Sequence, residues 1–358
     1  MPAIALPPVP HWTSIEPTGE KLEWAELEVI DLARAKTTEG RTEQVEKARN
    51  AMHNQGFFYV VNHGLDKAQV ERIFDIAAVP FEQVGSEEKK HFEARIKETG
   101  SFMGYKPLQY WHIANGVRDR IEHYNFNRNV NSKPHPDALR PFLPEIQEFV
   151  RHNHMNVLHE VARLLTLGLE LPEETLVNIH NYEERITHIL PATTRRRKQT
   201  GNVWMKGHED QTSLSILYSQ PISALQIRDV DSKWRWVKHI ENALVINCGR
   251  TLEMLSGGYY RSAIHRVVQP PQDQRGNRRL GVFYFCYADD DVQLEPLSAS
   301  PVLQRVGIKR RMEEGKAPLS GPWREAYIAA YGTSELEKGA EEGIEEEELH
   351  GIRVKHYN

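Results

Sequence analysis

Between residues 185 and 287 the chain is a series of short apolar runs separated by turn signals: Leu214–Tyr218, Ala224–Ile227, Trp234–Val237, Leu244–Asn247, Ser262–Val268 and Gly281–Tyr287. Several short strands at near-regular spacing specify a sandwich or barrel, because each strand is too short to bury its apolar face alone. The texture before residue 185 is different. Helical spacing predicts helices over 39–55 (Ala48 and Met52 on one face), 66–84 (Val70, Ile73, Phe74, Ala77), Leu143–Leu169 (Ile146, Phe149, Val150, Val157, Val161) and near 172–180. Leu27–Leu32 and Gly56–Val61 read as strands, the second closed by an Asn62-His63-Gly64 turn. Residues 301–333 return to a helical pattern, and the acidic stretch Glu335–Glu348 predicts a solvated helix or a mobile tail.

The expected fold class is therefore α+β. Residues 1–184 form an N-terminal helical and mixed region, 185–300 a β-rich core, and 301–358 a C-terminal helical segment with an acidic tail. No internal repeat or Pro/Gly-rich linker divides the 358 residues, so the expectation is one cooperative unit. With 39% hydrophobic residues, 27% charged residues and a net charge of −5, nothing calls for nucleic acid or an anionic membrane as a partner. No run approaches the roughly 20 apolar residues of a membrane helix. The start MPAIALPPVPHW is broken by prolines and does not read as a signal peptide. Two cysteines in apolar runs, Cys248 and Cys286, read as buried free thiols, which favours a reducing, cytoplasmic compartment. The expected state is a monomer or weak homo-oligomer acting on a small molecule.

Chemistry concentrates in Lys206-Gly207-His208-Glu209-Asp210-Gln211, which leads directly into a strand-like run. In extended chain, residues two apart share a side, so His208 and Asp210 aim together and Glu209 turns away. His265, in Ser262–Val268, lies on a second strand that can face the first. Two imidazoles and one carboxylate on one face leave the opposite coordination positions open. This suits octahedral Fe(II) with a co-substrate and O2, while zinc accepts the same ligand types. His-x-Asp alone is often incidental in a chain with 17 histidines; the pairing with His265 makes it a candidate site. His152, Asn153 and His154 offer a rival, but neighbours two apart on a helix do not share a face, and the His152/His159 pair has no third ligand. Those residues read as surface or packing.

Arg279, fourteen residues past His265, opens the strand-like run Arg279–Phe285. An arginine inside a barrel needs a carboxylate partner, and its planar fork binds one through two parallel hydrogen bonds. 2-Oxoglutarate offers a distal carboxylate for this fork and a 2-oxo acid end that chelates iron. The plainer reading is an exposed edge arginine like its neighbour Arg278.

Taken together, these segments resemble the isopenicillin N synthase-like group of 2-oxoglutarate/Fe(II) dioxygenases over roughly residues 27–330. The resemblance rests on Ile30-Asp31-Leu32, Gly56-Phe57-Phe58-Tyr59-Val60-Val61-Asn62-His63-Gly64, Leu225-Gln226-Ile227, Trp236-Val237, Ala243–Gly249 and Ser262–Val267 in the family's order. It implies a double-stranded β-helix, a jelly-roll relative of the cupins, with flanking helices. It also implies Fe(II) on His208, Asp210 and His265, and 2-oxoglutarate on Arg279. The implied activity is that of a dioxygenase that hydroxylates, desaturates or cyclises a small metabolite with O2, without a separate catalytic base, in secondary-metabolite biosynthesis. The sequence departs from the family twice. Its Arg-x-Ser reads Arg279-Leu280-Gly281 here, removing a hydroxyl beside the co-substrate. The stretch that often carries a tyrosine reads Thr187-His188-Ile189-Leu190-Pro191.

Strand alternation places Phe285 with Gly281 and Phe283 on the pocket wall. The aromatic stretch Tyr105, Tyr110, Trp111, His112, Arg120, His123, Tyr124 and Phe126 corresponds to the family's barrel mouth. Tyr105, Tyr124, Trp204 and Phe285 are the candidate substrate contacts, against the plainer reading that such aromatics pack. Arg195–Lys198 reads as a solvated basic loop. Two alternatives stand beside the dioxygenase: an Fe(II) oxidase that uses O2 without 2-oxoglutarate, and a non-enzymatic binding protein of the same fold.

Overall fold

The structure is a computed structural model that describes residues 6–108, 112–114, 117–119, 121–183, 187–194, 203–330, 337–339, 344–349 and 352–357. Its strands, in chain order, are β1 (Val29–Asp31), β2 (Phe57–Val61), β3 (Gly104–Lys106), β4 (His112–Ala114), β5 (Val117–Arg118), β6 (Ile121–Asn125), β7 (Thr187–Thr194), β8 (Val203–His208), β9 (Leu214–Tyr218), β10 (Leu225–Arg228), β11 (Trp234–Trp236), β12 (Leu244–Cys248), β13 (His265–Val268), β14 (Arg279–Cys286), β15 (Glu337–Lys338), β16 (Ile344–Leu349) and β17 (Ile352–Tyr357). An eight-stranded sheet runs β1-β2-β12-β9-β14-β7-β6-β3, and a seven-stranded sheet runs β11-β10-β13-β8-β17-β16-β15. The two face each other as a double-stranded β-helix.

The central strands of the larger sheet are buried on both faces, so they read as continuous apolar runs rather than alternating ones. Their side chains still sort by parity. Ile216, Leu244, Ile246, Val282 and Tyr284 pack on the helical layer with Met52, Phe149 and Val157. Leu217, Val245, Phe57 and Tyr59 turn the other way and meet Leu225 and Ile227 of the smaller sheet. The first face is the core, and the second borders the space between the sheets.

The helical layer is built from local signals. Thr37 caps the helix Thr38–Asn54 by accepting from Gly40 N at 3.0 Å. Asp66 and Gln69 form a reciprocal capping box at the start of Lys67–Glu82. Gly56 then switches the chain from helix to β2: its φ is +71°, and a Cβ there would lie 2.2 Å from the Arg261 carbonyl oxygen. The predicted helix over Leu143–Leu169 is continuous but carries a π turn at Asn153–Leu158 between Leu143–His152 and His159–Gly168. That turn presents Asn153 and His154 to the sheet. Tyr218 donates to Asn153 Oδ1 at 3.0 Å, and His154 Nδ1 and the Tyr284 hydroxyl are 2.6 Å apart. His154 and His159 each donate Nε2 to the His180 carbonyl, so these histidines are buried packing residues.

Three expectations differ from the structure. Residues 172–180 contain only a 3₁₀ turn, Val177–Ile179. The 301–333 segment is two helices, Pro301–Val306 and Ser320–Ala330, separated by irregular chain that begins at Gly307 (φ +84°). The described residues of the acidic tail are strand rather than helix: β16 and β17 form a hairpin that joins the smaller sheet through Tyr357 and Gly207. Its glutamates find partners across the strands, Glu345 with Lys206, Glu346 with Lys355 and Glu347 with the His356 ring, while Ile344 and Val354 are buried beneath. Cross-strand pairing of this kind neutralises the repulsion that argued for a solvated tail. No helix among the described residues is long and apolar enough to cross a membrane.

Candidate active site

The site lies between the sheets, where β8 and β13 run antiparallel with His208 directly opposite His265. Their rings are 4.4 Å apart between centroids. Asp210, two residues past His208, places Oδ1 at 3.7 Å from His208 Nε2 and 3.8 Å from His265 Nε2. The intervening Glu209 turns the opposite way, as strand parity predicts, and pairs with Arg250 at 2.6 Å and Arg311 at 3.1 Å. Among the described residues, these three are the group of histidine, cysteine and acidic side chains placed to hold a metal ion, with ligand atoms within 4.8 Å of one another.

Each ligand is oriented by a hydrogen bond on its far side. His208 Nδ1 donates to the Lys206 carbonyl at 2.8 Å and His265 Nδ1 to the Ala263 carbonyl at 3.2 Å, which leaves both Nε2 lone pairs facing Asp210. Asp210 Oδ2 accepts from Ser215 Oγ at 2.7 Å and from Asn247 Nδ2 at 2.9 Å, leaving Oδ1 for the centre. Burial and the neighbouring His265 push His208 down to about 4, so it is a neutral donor at physiological pH. Burial would raise the Asp210 carboxyl, but the adjacent His265 and His208 and the donors Asn247 and Ser215 hold it below its ordinary value. An ionised carboxylate facing two imidazole lone pairs, with no lysine or arginine paired to it among the described residues, is a donor set that fits a divalent cation.

Arg279 lines the same cavity from β14. It is buried, its Nε has no hydrogen-bond partner among the described residues, and burial lowers its pKa to about 10. It is therefore not the exposed edge arginine; Arg278 takes that place, paired with Glu82. A buried guanidinium left partnerless costs several kcal/mol unless an anion meets it. Gly281 sits two residues on. A Cβ there would lie 2.6 Å from Phe283 Cε2 and 3.7 Å from Arg279 Nη1. The Phe283 ring thus fills the room that a serine side chain would need.

Of the four candidate substrate contacts, Phe285 lies in the cavity wall and the other three do not. On β6, Ile121, His123 and Asn125 face the cavity, which turns Tyr124 to the opposite side together with its cross-strand partner Tyr105. The Tyr124 hydroxyl pairs with His135 Nδ1 at 2.6 Å and the Tyr105 hydroxyl donates to the Pro80 carbonyl at 2.7 Å, both within the core. Trp204 is displaced by an irregularity in the β8–β13 register: His208 pairs with His265 but Met205, not Lys206, pairs with Val267. The bulge gives Met205 the cavity face and leaves Trp204 buried away from it. Tyr110, Trp111, Arg120 and the basic loop Arg195–Lys198 lie outside the described residues.

Sequence reasoning missed Tyr327, which reaches the cavity from the C-terminal helix, and Tyr287, Gln211 and Phe102. Parity along β14 could have singled out Tyr287, but no local signal marks Tyr327.

Comparison with known proteins agrees with this geometry. Residues 27–145 match the model of the N-terminal region of non-haem dioxygenases described from morphine synthesis, and residues 172–287 match the 2OG-Fe(II) oxygenase superfamily. Gibberellin 20 oxidase 4 of Arabidopsis thaliana is 27% identical over 298 residues, covering 80% of this chain and 77% of its own. The 2-oxoglutarate-dependent dioxygenase tropC of Talaromyces stipitatus is 27% identical over 293 residues, covering 75% and 87%. Among solved structures, a full-length Neurospora crassa protein in complex with alpha-KG superposes with a TM-score of 0.74 at 20% identity, covering 85% of this chain and 96% of that one. The chain belongs to the 2-oxoglutarate/Fe(II)-dependent dioxygenase family. It is an oxidoreductase whose cofactors are Fe(II), 2-oxoglutarate and O2, and the matches favour neither an oxidase that dispenses with 2-oxoglutarate nor a non-enzymatic binding protein.

The far-side hydrogen bonds predict a measurable contribution. Asn247→Leu should weaken Co(II) or Fe(II) binding about 10-fold or more, because Asp210 loses one of its two orienting donors. Metal titration followed by absorbance checks this, and unchanged affinity would mean that Asn247 does not position the carboxylate.

Proposed function

We propose that His208, Asp210 and His265 hold the iron, that Arg279 receives the distal carboxylate of 2-oxoglutarate, and that the remaining cavity presents a C–H bond of a small metabolite to the metal. One observation carries the reading: a buried arginine whose Nε has no partner among the described residues and three converging ligand atoms share a single cavity. When bound, Fe(II) with 2-oxoglutarate supplies the activation of O2, with succinate and CO2 as co-products.

The chain's own residues have three tasks. The backbone carbonyls of Lys206 and Ala263 fix both imidazoles as Nε2 donors, and Ser215 and Asn247 fix the carboxylate. Three ligands on one side leave the other side for the co-substrate and O2. Apolar walls, including Leu217, Leu225 and Val245, keep bulk water from the reacting bond. The family's serine hydroxyl is replaced here by the Phe283 ring over Gly281, so Arg279 carries more of the co-substrate's binding. Relatives named for plant and fungal metabolism support a place in secondary-metabolite biosynthesis. The buried free thiols Cys248 and Cys286 support a reducing compartment such as the cytoplasm.

Anaerobic addition of Fe(II) and then 2-oxoglutarate should produce a weak visible charge-transfer band, and O2 should then yield succinate. A protein that binds Fe(II) but shows neither would contradict the reading. Arg279→Ala should raise the 2-oxoglutarate concentration needed for half of the band by roughly 10- to 100-fold while Fe(II) binding holds. Gly281→Ser should not restore the family's contact: displacing the Phe283 ring should weaken 2-oxoglutarate binding by about fivefold or more. Gly281→Ser with Phe283→Ala should bind it more tightly than Gly281→Ser alone.

A further inference from the structure

The cavity wall carries more than the metal and co-substrate anchors. Apart from Asp210 and Arg279, no aspartate, glutamate, lysine or arginine among the described residues lines it. If Arg279 is engaged by the co-substrate, a carboxylate or phosphate on the substrate meets no cation among those residues, and an ammonium meets no spare anion. His123 also lines the cavity, and burial together with nearby Lys106 holds its pKa well below the ordinary range, so it contributes no charge at neutral pH. The rest of the wall is mostly apolar, with aromatic rings beside aliphatic side chains such as Ile121, Leu217, Leu225 and Val245. Phe283 and Phe285 stack with planes 8° apart and centroids 5.9 Å apart, with Phe57, Phe102 and Tyr327 around them.

Against this apolar background, two further residues of the wall hold a buried side-chain oxygen with no hydrogen-bond partner among the described residues: Asn125 Oδ1 and Gln211 Oε1. The orientation of the Asn125 amide follows from its other end, because Nδ2 donates at 2.6 Å to the Phe102 carbonyl, which can only accept. Gln211 is placed with Nε2 donating to the Tyr287 hydroxyl at 2.6 Å, an arrangement that leaves its carbonyl end unused. Both residues are almost completely buried, Asn125 at 2% and Gln211 at 5% exposure, so bulk water does not meet this demand. A buried acceptor without a donor is destabilising, and natural proteins retain such groups where a ligand completes them.

We propose that this cavity takes an uncharged, ring-bearing substrate that donates hydrogen bonds to the side-chain carbonyls of Asn125 and Gln211. The inference rests on the functional reading above for the role of Arg279, and it narrows the substrate class. The rings supply apolar contact of low selectivity, and the two carbonyls decide which groups on the ring are tolerated: O–H or N–H is accepted, while an ether oxygen or carboxylate brings an acceptor against an acceptor.

A matched trio of probes tests it: 2-naphthol, 2-methoxynaphthalene and 2-naphthoate share one ring system and differ in carrying a donor, no donor, or an anion. Each is titrated calorimetrically into the full chain loaded with Zn(II) and 2-oxoglutarate, and into the metal-free chain. The expected result on the loaded chain is that 2-naphthol binds about fivefold or more tightly than either of the others, the factor that one net hydrogen bond supplies. Asn125→Leu and Gln211→Met should each reduce that preference, with thermal unfolding confirming that the variants remain folded. Tighter binding of 2-naphthoate than of 2-naphthol, equal binding of the ether and the naphthol, or no binding by any member of the trio would overturn the proposal. So would a preference that survives both substitutions. Loss of metal binding with the naphthol preference intact in the metal-free chain would instead count against the functional reading and leave this inference standing.

Discussion

The register between β8 and β13 is the constraint on which the site depends. His208 and His265 sit opposite each other on antiparallel neighbours, and a slip of one residue would turn one imidazole out of the inter-sheet space. The register is held from both sides. β10 pairs with the outer edge of β13, matching Ile227 to His265, and the C-terminal hairpin closes on β8 through Tyr357 and Gly207. The bulge within the β8–β13 pair then decides which other β8 side chain reaches the cavity, and it selects Met205 over Trp204.

Around this pair the protein separates charge by parity. Asp210 turns inward to the imidazoles, while Glu209 turns outward into a cluster with Arg250, Arg311 and Glu253, two carboxylates and two guanidinium groups. The outward cluster neutralises itself. The inward group is not paired in this way: it combines a carboxylate, two imidazoles and, further along the cavity, a guanidinium with no ion-pair partner among the described residues. Low dielectric makes that arrangement costly in isolation and strongly binding toward a cation and a dianion together. The stability given up at the site is compensated by the core on the other face of the larger sheet, where the π turn locks Asn153 and His154 onto Tyr218 and Tyr284.

Much of this was legible in the sequence, because period-two patterning and ligand spacing are local. His208, Asp210 and His265 stand on strand-like runs with the correct parity, and Arg279, Gly281, Phe283 and Phe285 fall on one face of β14. What escaped was set by non-local geometry. Tyr105 and Tyr124 share the aromatic character of the barrel mouth, but the phase of β6 turns them into the core, and the phase is fixed by pairing with β3 and β7 rather than by composition. Trp204 was misplaced because a bulge inverts alternation at one point. The acidic tail was read as solvated because its counterions, Lys206 among them, are distant in sequence. Tyr327 carries no local mark at all, since a helix that begins 34 residues beyond β14 brings it to the cavity.

The most direct test of the account is a crystal structure of the Fe(II)-loaded protein with anomalous data collected on both sides of the iron edge. One strong peak is expected between the strands, bonded to Nε2 of His208, Nε2 of His265 and Oδ1 of Asp210, with the positions opposite them open to 2-oxoglutarate. A peak elsewhere, or one that lacks any of these three bonds, would contradict it.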